Sequence, residues 1–216
     1  MILPFCTDAE VAAAVSQVGT QLARGRLIAY PTETVYGVGS FATGDALDRL
    51  ARLKGRPAGK PFLLLIDGLE MLAAVGLSLN AAARVLAREF WPGPLTLVLP
   101  GGEGRLPDRL RGPEGGIAVR WTSHRGVARL VRQLGQPLTS TSANLPGQRA
   151  APGPEAIAQY FGVAVETGEL LVLDGGTLGN VPPSTLVDCT GLTSRLVREG
   201  AIPRDELRRR AGSSAP

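Results

Sequence analysis

Apolar positions along the chain switch between a helical and a strand period. Asp8 to Arg24 follows the helical period, with Asp8 placed to cap it and Gly25 to stop it. Leu27-Ile28-Ala29-Tyr30 is a short apolar strand that runs into a Pro31-Thr32-Glu33-Thr34 loop. Asp45 to Lys54 puts Leu47, Leu50 and Leu53 on one helical face, and Gly55 and Pro57 end it. Phe62–Ile66 is a continuous apolar run of strand length. Helices are predicted at Leu69–Val75 and Asn80–Phe90, then a strand at Leu95–Leu99. The rhythm continues with a strand at Ile117–Trp121, a helix at His124–Leu134, a strand at Leu138–Ser142 and a helix at Glu155–Phe161. Strands at Leu170–Leu173, Thr185–Asp188 and Arg195–Val197 and a helix at Arg204–Arg210 complete it.

Alternating strands and helices define an α/β fold. The three closely spaced late strands call for antiparallel pairing, so the expected sheet is mixed. At 216 residues and 44% hydrophobic, the chain has the material for one sizeable core, and one domain over residues 1–210 is expected. Residues 211–216 read as a flexible tail. There is no internal repeat. The longest irregular connection, Pro100–Gly116, suits a lid or a solvent loop. Gly (28) and Pro (17) are abundant, which places much of the backbone in shaped loops, where binding groups gather.

No run is long enough to span a membrane, and Met1–Glu10 lacks a signal-peptide pattern, so a cytoplasmic location is expected. Cys6, Cys189 and the single His124 make no metal-ligand spacing. The net charge of +4 leaves two readings open, a solvated basic surface or an anionic partner. Only two of 23 basic residues are lysines, Lys54 and Lys60, and both lie in Lys54-Gly-Arg-Pro-Ala-Gly-Lys60. A compact ammonium facing phosphate would account for that usage, as would chance.

Several chemistries are poorly supported. No nucleophile elbow is present, neither cysteine has an activating context, and His124 suits a helix cap or the surface. Gly55…Gly59-Lys60 is one residue short of a phosphate loop and is followed by Pro61. Gly37-Val-Gly39-Ser-Phe-Ala42 fits a loose dinucleotide pattern without the acidic residue that would hold a ribose. What remains is hydroxyl-rich and cationic. Thr32, Thr34, Thr139, Ser140, Thr141, Ser142 and Asn144 gather at predicted strand ends, with Lys54, Arg56, Lys60, Arg120 and Arg198 supplying charge. Such a set suits phosphoryl or nucleotidyl transfer run by positioning and electrostatics.

These residues also carry a resemblance. Pro31-Thr-Glu-Thr-Val-Tyr-Gly37, Lys54-Gly-Arg-Pro57 and Trp91-Pro-Gly-Pro-Leu-Thr96 resemble elements of the YrdC/Sua5 family of threonylcarbamoyl-AMP synthases. So do Ala118-Val-Arg120, Ser140-Thr-Ser-Ala-Asn144 with Gly147, Pro183-Ser-Thr-Leu-Val-Asp188 and Val197-Arg-Glu-Gly200. The seven elements run in family order from about Leu22 to Ile202, and the chain resembles the form without a further C-terminal domain.

The resemblance implies a twisted mixed sheet flanked by helices around a large basic cavity. It also implies condensation of L-threonine, bicarbonate or CO2, and ATP to threonylcarbamoyl-AMP and pyrophosphate. The product would pass to a downstream complex that modifies adenosine 37 of tRNA. Thr32, Arg120, Ser140, Thr141 and Ser184 match the threonine side. Lys54, Arg56, Lys60, Ser142, Asn144 and Arg198 match the ATP side, with Lys54 and Arg56 as catalytic cations. No protein metal site is implied; Mg2+ would be held mainly by the phosphates. One departure stands out: some members carry histidine where this chain has Leu65. Two other readings stay open, an RNA-binding or ribosome-maturation module with weak RNA or tRNA binding, and a paralogue forming a different carbamoyl-adenylate.

Overall fold

The structure is a computed structural model and describes residues 1–55, 60–212 and 216. Its strands are β1 (Ile2–Pro4), β2 (Leu27–Tyr30), β3 (Gly37–Gly39), β4 (Leu63–Ile66), β5 (Leu95–Leu99), β6 (Ile117–Trp121), β7 (Leu138–Ser142), β8 (Leu170–Asp174), β9 (Thr185–Asp188) and β10 (Arg195–Arg198). Its helices are α1 (Asp8–Ala23), α2 (Gly44–Lys54), α3 (Leu69–Ala74), α4 (Ala81–Phe90), α5 (Arg125–Leu134), α6 (Pro154–Glu166) and α7 (Arg204–Ala211). The strands form one sheet in the order β1-β8-β2-β3-β7-β4-β6-β5-β9-β10. It is mixed: β4 and β6 run parallel, as do β5 and β9, whereas β7 is antiparallel to both β3 and β4.

Helices cover both faces, and the strand period of two explains how the sequence builds two cores. In β2, Leu27 and Ala29 join a core under α2, α4, α6 and α7, while Ile28 and Tyr30 join one under α1 and α5. β4 divides the same way, with Leu64 and Ile66 on the first side and Leu65 on the second. Strands buried on both faces read as unbroken apolar runs.

Local chemistry sets the element ends. Helix α1 starts at Asp8 as expected, but its cap lies one residue earlier: Thr7, not Asp8, caps it, in a reciprocal capping box with Glu10. His124 caps α5 by accepting from the Val127 amide through Nδ1 at 3.3 Å. Gly55 and Gly135 end α2 and α5 in the left-handed conformation. Helix α7 includes Ala211, which is buried, so the helix runs into the stretch expected as tail, of which 213–215 lie outside the described residues.

Two corrections affect the site. The Gly37-Val-Gly39 segment is strand β3, not a phosphate-cradling turn. Its glycines permit close packing instead: a Cβ on Gly37 would lie 2.9 Å from Ser140 Oγ, and one on Gly39 would overlap the Thr139 carbonyl oxygen. Pro100–Gly116 is pinned rather than loose. Leu106 and Leu110 are buried, and Arg111 donates to the Gly101 and Gly115 carbonyls at 2.9 Å each.

Candidate active site

Seven strands and the loops that join them enclose a cavity of about 570 Å³. Its hydroxyl wall comes from Thr32 and Thr34 in the loop after β2, Ser140, Thr141 and Ser142 in β7, Thr96 in β5 and Ser184 before β9. Arg120, Arg195 and Arg198 supply cations, and Glu114 and Asp188 supply acid groups. Val35, Leu63, Val98, Leu186 and Val197 give it an apolar side. The pinned loop contributes Gly112, Pro113, Glu114 and Gly116, so it is a wall of the cavity.

The loop after β2 is shaped by its own hydroxyls. Thr32 Oγ1 accepts from the Thr34 and Val35 amides at 3.2 Å each and donates to the Val35 carbonyl at 2.7 Å. Thr34 Oγ1 lies 3.0 Å from Thr32 Oγ1 and accepts from Arg120 Nη1 at 3.3 Å. Arg120 sits in β6 opposite Leu65 of β4, and its Nη2 donates to Glu33 Oε2 at 2.9 Å. Thr122 Oγ1 donates to the same carboxylate oxygen. Burial pushes the Glu33 carboxyl up, but the Arg120 charge and the Thr122 hydroxyl more than offset it, and the net shift is down.

The turn Trp91-Pro-Gly-Pro delivers Thr96. Trp91 Nε1 donates to the Leu95 carbonyl at 2.7 Å, and the Gly93 amide donates to the Trp121 carbonyl at 2.8 Å. Both contacts fix the start of β5, and the buried Thr96 and Ser184 hydroxyls then meet at 2.8 Å. Arg198 Nη2 donates to the Ser184 carbonyl at 2.8 Å. Burial and the Arg120 charge both lower the Arg198 guanidinium pKa. At the mouth, Asp188 accepts from Arg195 at 2.9 Å and from the Thr190 hydroxyl at 2.7 Å.

The expected residues divide into groups. Thr32, Arg120, Ser140, Thr141, Ser142, Ser184 and Arg198 come together on the cavity wall. Lys54 lies behind β7, buried, with Nζ donating to the Ser142 carbonyl at 2.6 Å and to the Asn144 carbonyl and side chain. Asn144 Oδ1 also accepts from Ser142 Oγ at 2.6 Å, so lysine, serine and asparagine form one tied turn. Neither Lys54 nor Asn144 lines the cavity, and Lys60 is exposed outside it. Arg56 lies outside the described residues. Thr139, in the hydroxyl-rich strand, faces away and is satisfied by Ser40. Leu65 is buried in the second core and takes no part in the cavity lining. Sequence reasoning missed Glu33, Thr96, Asp188 and Arg195 as site residues. Glu33, Thr96 and Asp188 sit inside motifs already singled out, whereas Arg195 meets Asp188 only through strand pairing between β9 and β10.

Fold and site together define a mixed α/β protein whose hydroxyl-lined, arginine-bearing cavity fits a polar, anionic small molecule. The chain belongs to the Sua5/YciO/YrdC family, described as a telomere recombination family, which matches residues 20–200. It is 42% identical over 178 residues to a threonylcarbamoyl-AMP synthase of Thiobacillus denitrificans, covering 82% of this chain and 90% of that protein. It is 35% identical over 189 residues to one from Pyrococcus abyssi, covering 87% of this chain and 54% of that protein. The chain therefore spans about half the length of the Pyrococcus relative. The crystal structure of P. abyssi Sua5 complexed with L-threonine superposes with a TM-score of 0.86 at 31% identity, covering 99% of this chain and 61% of that one. Among the described residues, no helix is long and apolar enough to cross a membrane.

Proposed function

We propose that this protein makes threonylcarbamoyl-AMP from L-threonine, bicarbonate or CO2, and ATP. The observation that carries the reading is the convergence of Arg120, Ser140, Ser184 and Arg198 on one cavity. Arg120 takes the threonine carboxylate, and the hydroxyls of Ser140 and Thr141 receive the rest of the amino acid. The neutral threonine amine adds to CO2 and gives up a proton to solvent, forming a carbamate; bicarbonate supplies the same CO2 by losing hydroxide. One carbamate oxygen then attacks the α-phosphorus of ATP, the bond to the bridging oxygen breaks, and pyrophosphate leaves. Arg198 stabilises the charge that develops on the phosphates, since a guanidinium on the cavity wall without a carboxylate partner among the described residues favours an anion. Lys54 holds the Ser142–Asn144 turn against the same site. Arg56 is placed with the nucleotide by its motif.

Mg2+ fits as a companion of the nucleotide. The cavity acids are already engaged, Asp188 by Arg195 and Thr190 and Glu114 by Arg195, as is Glu33 beside the wall by Arg120 and Thr122, and no three potential ligands cluster among the described residues. A metal entering on ATP neutralises phosphate charge, and no protein step is assigned to it. The product would feed a downstream complex that transfers the threonylcarbamoyl group to tRNA.

The test is pyrophosphate release from ATP with bicarbonate, with and without L-threonine. Release that requires threonine, with serine much poorer, is expected. ATP binding without threonine-dependent release would assign a different acceptor, and loss of ATP binding altogether would overturn the reading.

A further inference from the structure

Of the three arginines that line the cavity, Arg120 and Arg198 differ in what holds them. Arg120 is paired with Glu33 at 2.9 Å, and the two side chains are 5% and 16% exposed. Arg198 donates to the Ser184 carbonyl and has no carboxylate partner among the described residues. The Arg120 guanidinium is thus neutralised by a carboxylate, whereas that of Arg198 is held by a backbone carbonyl.

The Glu33 carboxylate is itself held in place. The Thr122 hydroxyl accepts from the His124 amide at 3.2 Å, which leaves its proton for Glu33 Oε2. That arrangement suits an ionised carboxylate, in keeping with its depressed pKa. Glu33 does not line the cavity, whereas Arg120 does, so Glu33 acts on a ligand through Arg120 and through space.

We propose that Glu33 is a positioning residue that sets ligand charge at the threonine end of the cavity. It holds the Arg120 guanidinium and cancels its charge, so this end favours a zwitterionic amino acid over a simple carboxylate. An amino acid carries no net charge, and its ammonium lies two bonds from the carboxylate carbon that Arg120 binds. Placed there, the ammonium meets a neutral pair instead of a bare cation. A simple anion gains less from a cation already balanced by a carboxylate. The anionic phosphates are left to Arg198. This inference rests on the proposed threonine reading and adds the reason for its charge selectivity.

The experiment compares binding of L-threonine and of 3-hydroxybutyrate, the same molecule without the amine, to wild type, Glu33→Gln and Thr122→Val. Wild type should prefer threonine. In Glu33→Gln, threonine should weaken about tenfold or more, 3-hydroxybutyrate should bind as before or tighter, and the KM for ATP should hold. Thr122→Val, close in shape, should shift discrimination the same way by a smaller factor, and it carries the test if Glu33→Gln fails to fold. Equal weakening of both ligands together with ATP would make the role merely structural and overturn the proposal. So would unchanged discrimination in variants that bind threonine. Wild-type protein that binds no threonine would instead overturn the functional reading beneath it.

Discussion

Replacing Arg120 with methionine removes the cation while keeping an apolar stem of similar length. Glu33 is then left in a largely desolvated position with Thr122 as its remaining side-chain donor. Breaking a buried pair in this way costs about 3–5 kcal/mol. The lower end applies, because the Glu33 side chain keeps 16% exposure and its bond from Thr122. For a chain of this size about 3 kcal/mol lowers Tm by roughly 6–12 °C. The loss should depend on pH. In the wild type, Glu33 titrates below its unfolded value, so its contribution is present above about pH 4.3 and is lost as pH falls through the folded pKa. Without Arg120, burial pushes the Glu33 pKa up, so the penalty is largest near pH 8 and shrinks toward pH 5 as the carboxyl protonates. Thermal melts of wild type, Arg120→Met and Glu33→Gln/Arg120→Met at both pH values read this directly. The double variant should regain most of the lost stability, while threonine binding stays impaired. A Tm loss under about 2 °C at pH 8, or a gap that does not narrow with acid, would refute the reasoning.

Lys54→Ala should cut pyrophosphate release about a hundredfold by displacing the Ser142–Asn144 turn that it ties. It should also cost about 1–3 kcal/mol in urea unfolding, since the Ser142 and Asn144 carbonyls lose a buried donor; wild-type turnover would remove Lys54 from the site. Gly39→Ala should destabilise by about 3 kcal/mol or give insoluble protein, because the new Cβ overlaps the Thr139 carbonyl oxygen, and denaturant titration checks it. Cys6 is exposed, whereas burial pushes the Cys189 thiol up to about 12. Native protein should therefore release one equivalent of thionitrobenzoate from an aromatic disulfide reagent at pH 8 and two in denaturant; two in the native state would contradict the buried placement.

Strands buried on both faces were legible because each is an apolar run bounded by turn residues, as with Leu63–Ile66 and Leu95–Leu99. Strand β1 was not, being three residues long at a sheet edge and ending in Pro4. Strand β3 was not either, since Gly37 and Gly39 have little intrinsic strand preference and are selected by what packs on them. Much of the site was legible from polar residues at strand ends and from the motifs around Thr32, Arg120 and Ser140. What escaped was pairing. Nothing local marks Glu33 as the counter-ion of a residue 87 positions away, and nothing local marks Lys54 as the clamp on a turn 88 to 90 positions away. Contacts of that range follow from the sheet order, which local spacing does not encode.

The same sheet order bears on synthesis. Strand β9 reaches its partner β5 only after nearly ninety intervening residues, and Ser184 and Arg198 emerge from the ribosome among the last parts of the fold. A nascent chain that has completed β7 already holds Thr32, Arg120 and Ser140, yet it lacks the opposing wall. At about 5–20 residues per second the remaining stretch takes several seconds to appear. During that interval the cavity lacks Ser184, Leu186, Asp188, Arg195 and Arg198, so a wall that is continuous in the finished fold is assembled from its two ends several seconds apart.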